Sequence, residues 1–264
     1  MSRRRLGQHF LTDVGIIRRI VDAADLDPRD RVFEIGPGRG ALTFPLLGKA
    51  TSVTSLEVDE ELALKLRADD SEGLRVVCGD ALTADFSEAV GEVDYDRSVL
   101  VANLPYRITG ALLQRILEAG CWNRAVLMVQ REVGQRLAAE VGTKDYGILT
   151  VAANLRAEVE YLFSVGPDCF DHPPKVVSSV VRFTFRDRSP HVSDEKLFFR
   201  IVRAAFQQRR KMIRNGLAST LDGRVEEVLE AAGIDPDVRP ECVSVEGFDR
   251  ICRAFTDATN RADG

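Results

Sequence analysis

The sequence predicts an α/β protein: a mostly parallel sheet with helices on both faces, followed by a small all-helical domain. Three observations carry that reading. Between residues 31 and 137, short apolar runs alternate with amphipathic runs across short connections, which is how parallel strands and crossover helices are written in sequence. Next, 157–166 (AEVEYLFSVG) and 175–186 (KVVSSVVRFTFR) are strand-like with no helical pattern between them, so they read as an antiparallel pair closing the sheet. Then 186–194 (RDRSPHVSD) is polar, carries a proline and lacks periodicity, and after it the pattern is helical to the end. The expected domains are 1–186 and 187–264.

Taken in order, 13–24 (DVGIIRRIVDAA) has apolar residues three to four apart and reads as a helix. RVFEIG (31–36) is a strand, and PGRGALTFPLLG turns on glycines into a helix. TSVTSLEVD (51–59) is a strand rich in β-branched residues, with helical EELALKLRADD behind it. LRVVCGDAL (74–82) and SVLVAN (98–103) are strands, and the second leads into helical ITGALLQRILEAG. RAVLMVQ (124–130) is a fifth strand, followed by helical REVGQRLAAE. The last part reads as helices over 194–219, 223–232 and 246–259, with Ser244 as an N-cap and Glu246 in the first turn of the last.

Composition bounds the function classes. The 264 residues are 45% hydrophobic, enough for a substantial core, yet no apolar run of membrane-spanning length occurs. The basic start, MSRRRLGQHFL, lacks the apolar stretch of a secretory signal. Five scattered cysteines form no CxxC pair, and the three histidines lie far apart, so a reduced, cytoplasmic protein without a metal site is expected. Net charge is −5, but it is polarised: residues 196–216 hold seven Lys/Arg and no Asp/Glu. Arg209, Arg210, Lys211 and Arg214 are placed to contact phosphates, the other reading being a solvated helix face.

In open parallel sheets, ligands bind outside the carboxyl ends of the strands. Four features fall there. Gly36, Gly38 and Gly40 in FEIGPGRG allow close backbone approach, although GxGxG is not the dinucleotide GxGxxG. Glu57, after the second strand, suits two ribose hydroxyls or is a solvated carboxylate beside Glu60 and Glu61. Asp80, after the third, suits an adenine amino group or caps a helix. At the fourth, Asn103, Leu104, Pro105 and Tyr106 combine an amide oxygen, a carbonyl held by the proline, and a ring that can stack on a base.

NLPY at this position is similar to the (N/D/S)PP(Y/F) motif of amino-methylating enzymes, and the whole resembles the class I S-adenosylmethionine-dependent methyltransferases. With GQHFL (7–11), EIGPGRGALT (34–43), LEVD (56–59), GDAL (79–82), MVQREVGQRL (128–137), YGILTV (146–151), PPKVVSSVVRF (173–183) and AFQQRRKMIRN (205–215), the order resembles the KsgA (RsmA) family of small-subunit rRNA adenine dimethyltransferases over nearly the whole chain.

That resemblance implies a Rossmann-like, mostly parallel seven-stranded sheet and a C-terminal RNA-binding domain. It implies S-adenosylmethionine as cofactor, held by His9, Leu11, Glu34, Gly36, Gly38, Glu57, Val58, Asp80, Ala81 and Asn103. Asn103 and the carbonyl of Leu104 or Pro105 would orient the target N6. Tyr106 would stack, and Phe170 would sandwich the base from the other side. The implied partner is 16S rRNA in the assembling small subunit, with no membrane, no metal and a monomer as default. His172 and Val177 depart from the family pattern, where proline and aspartate are usual. An Erm-type large-subunit enzyme, an assembly factor with dispensable catalysis and a DNA adenine methyltransferase are the competing readings. About 70 helical residues are few for the target-recognition domain the last one needs.

Overall fold

The computed structural model describes residues 9–90, 95–186 and 192–263. The chain begins with α1 (Val14–Ala23), whose first turn is capped by Asp13 accepting from the Ile16 N–H at 2.8 Å. The expected alternation follows, with one helix (α4) that the sequence reading did not place: β1 (Arg31–Ile35), α2 (Thr43–Leu47), β2 (Ser52–Glu57), α3 (Glu60–Arg67), β3 (Leu74–Cys78), α4 (Phe86–Val90), β4 (Ser98–Asn103), α5 (Thr109–Ala119), β5 (Arg124–Gln130) and α6 (Arg131–Leu137). Helix α3 is written by Asp59 as N-cap, Glu60 and Glu61 in the first turn, and Lys65 and Arg67 in the last, each charge matching the helix dipole. Then come α7 (Ile148–Arg156), β6 (Ala157–Val165) and β7 (Ser178–Phe185).

The strands form one seven-stranded sheet of order β3-β2-β1-β4-β5-β7-β6. β1 pairs parallel with β2 and β4, β2 with β3, and β4 with β5, whereas β7 runs antiparallel to β5. The central strands β4 and β5 are buried along almost their whole length, as strands covered on both faces must be. Strand order reverses between β1 and β4, where Ile35 lies level with Ala102. That reversal opens a crevice at the carboxyl ends of the strands.

The remaining helices are α8 (Glu195–Gln207), α9 (Ile213–Leu217), α10 (Val225–Ala231) and α11 (Val245–Asp263). Ser244 caps α11 through Gly247 N–H, as read from the sequence. The continuous helix expected over 194–219 is instead two helices with a turn at 208–212. The apolar stripe of α8, Phe198, Ile201, Val202 and Ala205, would continue at Gln208 and Arg209, which are polar. The chain turns back, and α9 packs so closely that a Cβ on Gly216 would lie 3.1 Å from the Ala205 carbonyl.

Two compact units result, and the division differs from 1–186 and 187–264. One holds the residues up to Gly134 together with Glu158–Arg186; the other holds Gln135–Ala157 and the residues after Arg186. The reason is burial: Tyr146, Val151 and Leu155 share a core with Phe198, Ile201 and Phe248. Tyr146 also donates its hydroxyl to the Val243 carbonyl at 3.0 Å. The sequence reading placed no element at α7, because ILTVAANLR is apolar on nearly every side and hides its period. Of the linker expected at 186–194, residues 187–191 lie outside the described residues, and Asp194 is the N-cap of α8.

Candidate active site

A cleft of about 480 Å³ opens in the first unit at the crevice between β1 and β4. Its floor is the Gly-rich turn after β1. Gly36 and Gly38 have φ of 72° and 58°, which a side chain would strain, and a Cβ on Gly38 would stand 2.9 Å from the Phe10 ring. The missing side chain at Gly38 makes room for the Phe10 ring.

Glu57 ends β2 and is buried at 2% exposure. Its Oε2 accepts from Gly38 N–H and its Oε1 from Asp59 N–H, both at 3.0 Å. Each carboxylate oxygen therefore keeps acceptor capacity for a vicinal diol. Val58, Asp80 and Ala81 also line the cleft. Asp80 uses Oδ1 to accept from Leu82 N–H at 2.9 Å, so capping the turn leaves its other oxygen without a protein donor among the described residues.

Glu34 lies beneath the turn with its Oε2 accepting from Thr43 Oγ1 (2.6 Å) and Ser55 Oγ (2.8 Å). Burial pushes its carboxyl up to about 7; the two hydroxyl donors oppose this, and the nearby Glu57 charge adds to it.

The NLPY segment sits at the end of β4. Asn103 Nδ2 donates to the His9 carbonyl at 3.4 Å, which leaves Oδ1 without a protein donor among the described residues. The Pro105 carbonyl accepts from Ile108 N–H (3.1 Å) and Thr109 Oγ1 (2.9 Å), closing the first turn of α5. Both of its lone pairs are taken. Leu104 donates its N–H to Met128, and its carbonyl accepts no bond among the described residues. Of the two carbonyls left open by the sequence, Leu104 is the free one. Tyr106 is half-buried, its ring fixed by a 2.5 Å bond between its hydroxyl and Ser178 Oγ, and burial pushes its phenol up.

His9 and Leu11 line the cleft, but Phe170 does not. Phe170 is 4% exposed and bridges Leu11 in a two-strand contact. The His9 ring stands between the two aromatics, stacked on Tyr106 at 5.9 Å and edge-on to Phe170 at 6.4 Å. Phe170 is thus buried in the apolar cluster that holds Leu11, and its side chain does not line the cleft. The departures at 172 and 177 fit locally. The His172 carbonyl accepts from His9 Nδ1 at 2.5 Å, and the Val177 carbonyl accepts from Arg131 N–H.

Sequence reasoning missed Phe10, Arg39, Thr43, Ser55 and Asp171. Thr43 and Ser55 were findable as hydroxyls near a buried acid, but only pairing β1 with β2 brings Ser55 opposite Glu34. Among the described residues, no group of three or more His, Cys, Asp or Glu could hold a metal ion, and no helix is long and apolar enough to cross a membrane.

The basic segment divides. Arg209 bonds the Thr143 and Lys144 carbonyls, and Arg214 pairs with Asp237 at 2.8 Å. Arg210 and Lys211 are exposed, with no side-chain partner among the described residues.

The fold and this cleft define a class I methyltransferase, Rossmann-like with an antiparallel seventh strand. The family model for ribosomal RNA adenine dimethylase matches residues 1–257, and the chain belongs to that family. It is 41% identical over 256 residues to the ribosomal RNA small subunit methyltransferase A of Syntrophotalea carbinolica, covering 95% of this chain and 96% of the relative. Among solved structures, it is similar to a dimethyladenosine transferase from Plasmodium falciparum (26% identity, 95% and 98% coverage, TM-score 0.81). It is also similar to the 23S rRNA methyltransferase ErmE (30% identity, 94% and 99% coverage, TM-score 0.73).

Proposed function

We propose that this chain uses S-adenosylmethionine to dimethylate N6 of two adjacent adenosines in a hairpin loop near the 3′ end of 16S rRNA, in the cytoplasm, during small-subunit biogenesis. The observation that carries the reading is the pair of unclaimed acceptors, Asn103 Oδ1 and the Leu104 carbonyl, beside the Tyr106 ring. The small-subunit target is favoured by 41% identity to a relative named for that subunit, against 30% to ErmE. The chain is proposed to act as a monomer.

The residues present fit the cofactor. The bare α-carbon of Gly36 leaves room beside the β4 end, Glu57 offers oxygens to a ribose diol, and Asp80 keeps one oxygen for an adenine amine. When bound, S-adenosylmethionine supplies an activated methyl on a sulfonium. The protein's own work is placement. Asn103 Oδ1 and the Leu104 carbonyl would accept hydrogen bonds from N6–H, which draws the nitrogen lone pair out of the adenine π system and frees it to act as nucleophile. The same acceptors stabilise the positive charge that develops on N6. Tyr106 offers a face to the base, which must leave its stack to enter. No general base touches N6, and the proton leaves to water after the bond forms.

The test incubates the purified chain and radiolabelled S-adenosylmethionine with separated ribosomal subunits lacking adenine dimethylation, then identifies nucleosides by mass spectrometry. N6,N6-dimethyladenosine in small-subunit RNA alone is expected. Product in large-subunit RNA would move the chain to the Erm function, and cofactor binding without transfer would leave it an assembly factor.

A further inference from the structure

The segment entering α1 is strapped to the loop before β7. Thr12 and Asp13 both donate N–H to the Cys169 carbonyl, at 2.9 and 3.2 Å, and Asp171 N–H donates to the Phe10 carbonyl at 3.0 Å. Asp171 is the node. Its Oδ1 accepts from Phe10 N–H (3.1 Å) and His172 N–H (2.7 Å), and its Oδ2 takes Arg39 Nη1 at 3.0 Å. The Asp171 side chain is 16% exposed, and its Oδ1 also lies 3.1 Å from His172 Nδ1. Arg39 belongs to the Gly-rich turn, and its guanidinium lies 4.2 Å from the centre of the Phe10 ring. Phe10 is thus wedged between that cation and the bare α-carbon of Gly38.

We infer that Asp171 and Arg39 form a clasp that holds the arm carrying His9 and Phe10 across the cofactor cleft, and that its opening sets the rate of cofactor exchange. The inference rests on the proposed function. Two methyl transfers to one N6 need spent cofactor to leave and fresh cofactor to enter between them. Arm residues His9 to Thr12 line the cleft beside the Gly-rich turn, so exchange there displaces the arm. Asp171 does not line the cleft; it is a positioning residue acting through Phe10 and Arg39.

The test follows loss of bound radiolabelled S-adenosylhomocysteine from the full chain into excess unlabelled ligand. Arg39→Gln and Asp171→Asn are each expected to speed release about tenfold, the lower end for losing a charged hydrogen bond. The effects of the two substitutions are expected not to multiply in the double variant, since both break the Arg39–Asp171 bond. Arg39→Lys, which keeps the charge, should stay near wild type. The cofactor KM should rise with the release rate, while kcat for the first methyl does not fall. Because Arg39 is exposed, its variant reports even if Asp171→Asn fails to fold. Variants releasing at the wild-type rate, or effects that multiply in the double variant, overturn the clasp alone. A wild-type chain that binds no S-adenosylhomocysteine overturns the proposed function and the clasp with it.

Discussion

Asn103 donates its amide N–H to the main-chain carbonyl of His9, and that bond leaves the amide oxygen as the unclaimed end. The donor is spent on the arm, and the acceptor remains. Replacing Asn103 with alanine should therefore lower kcat about 10²–10³-fold, the usual effect of deleting one group aimed at developing charge. Cofactor affinity should change little, because Glu57 and the Gly-rich turn are untouched. Single-turnover methylation beside equilibrium binding checks this. A matching loss of cofactor affinity would show that Asn103 serves the arm rather than N6.

Glu57 gives a second prediction. Its two oxygens accept from Gly38 N–H and Asp59 N–H. Glutamine at 57 would turn an NH₂ towards one of those donors and lose the charge facing the diol. The cofactor Kd should rise about 10–100-fold, from about 1.5–3 kcal/mol for hydrogen bonds to a charged group. Calorimetric titration with S-adenosylhomocysteine measures it, and an unchanged Kd would remove Glu57 from the ribose role.

These two residues were legible in the sequence because each ends a strand, and strand ends in parallel sheets converge on one crevice. The sheet was legible for the same reason: β-branched runs alternate with amphipathic ones. The burial of Phe170 was not, since a motif gives no orientation, and only the packing of the folded chain places it in the cluster with Leu11. The choice between the Leu104 and Pro105 carbonyls needed the first turn of α5. Arg39 and Asp171 lie 132 residues apart, and neither stands in a pattern that links them.

Glu34 predicts a pH dependence of stability. The folded chain holds its proton up to about pH 7, while the unfolded chain releases it near 4.5. Its contribution is constant below pH 4.5, falls as pH rises towards 7, and is flat above. The full change is about 3 kcal/mol. Glu34→Gln keeps an acceptor for Thr43 and Ser55 and should abolish this slope, so the variant gains on wild type between pH 5 and 7. Urea unfolding at several pH values reads it. Parallel curves for the two proteins would mean that Glu34 is ionised in the folded state.

The basic segment 209–214 predicts that its four cations separate into two pairs. Arg210 and Lys211 are exposed and unpartnered among the described residues, whereas Arg209 holds the Thr143 and Lys144 carbonyls and Arg214 holds Asp237. Cations that meet phosphates release counterions, and each contributes to the slope of log affinity against log salt. Replacing Arg210 and Lys211 with alanine should reduce that slope for rRNA binding by about 1–2 and leave the unfolding midpoint unchanged. Replacing Arg209 and Arg214 should instead lower the midpoint by about 1–3 °C with a smaller effect on the slope. Filter binding across a salt series, with thermal unfolding of the same variants, separates the pairs. An equal loss of slope from all four would mean that RNA pulls Arg209 and Arg214 from their internal partners.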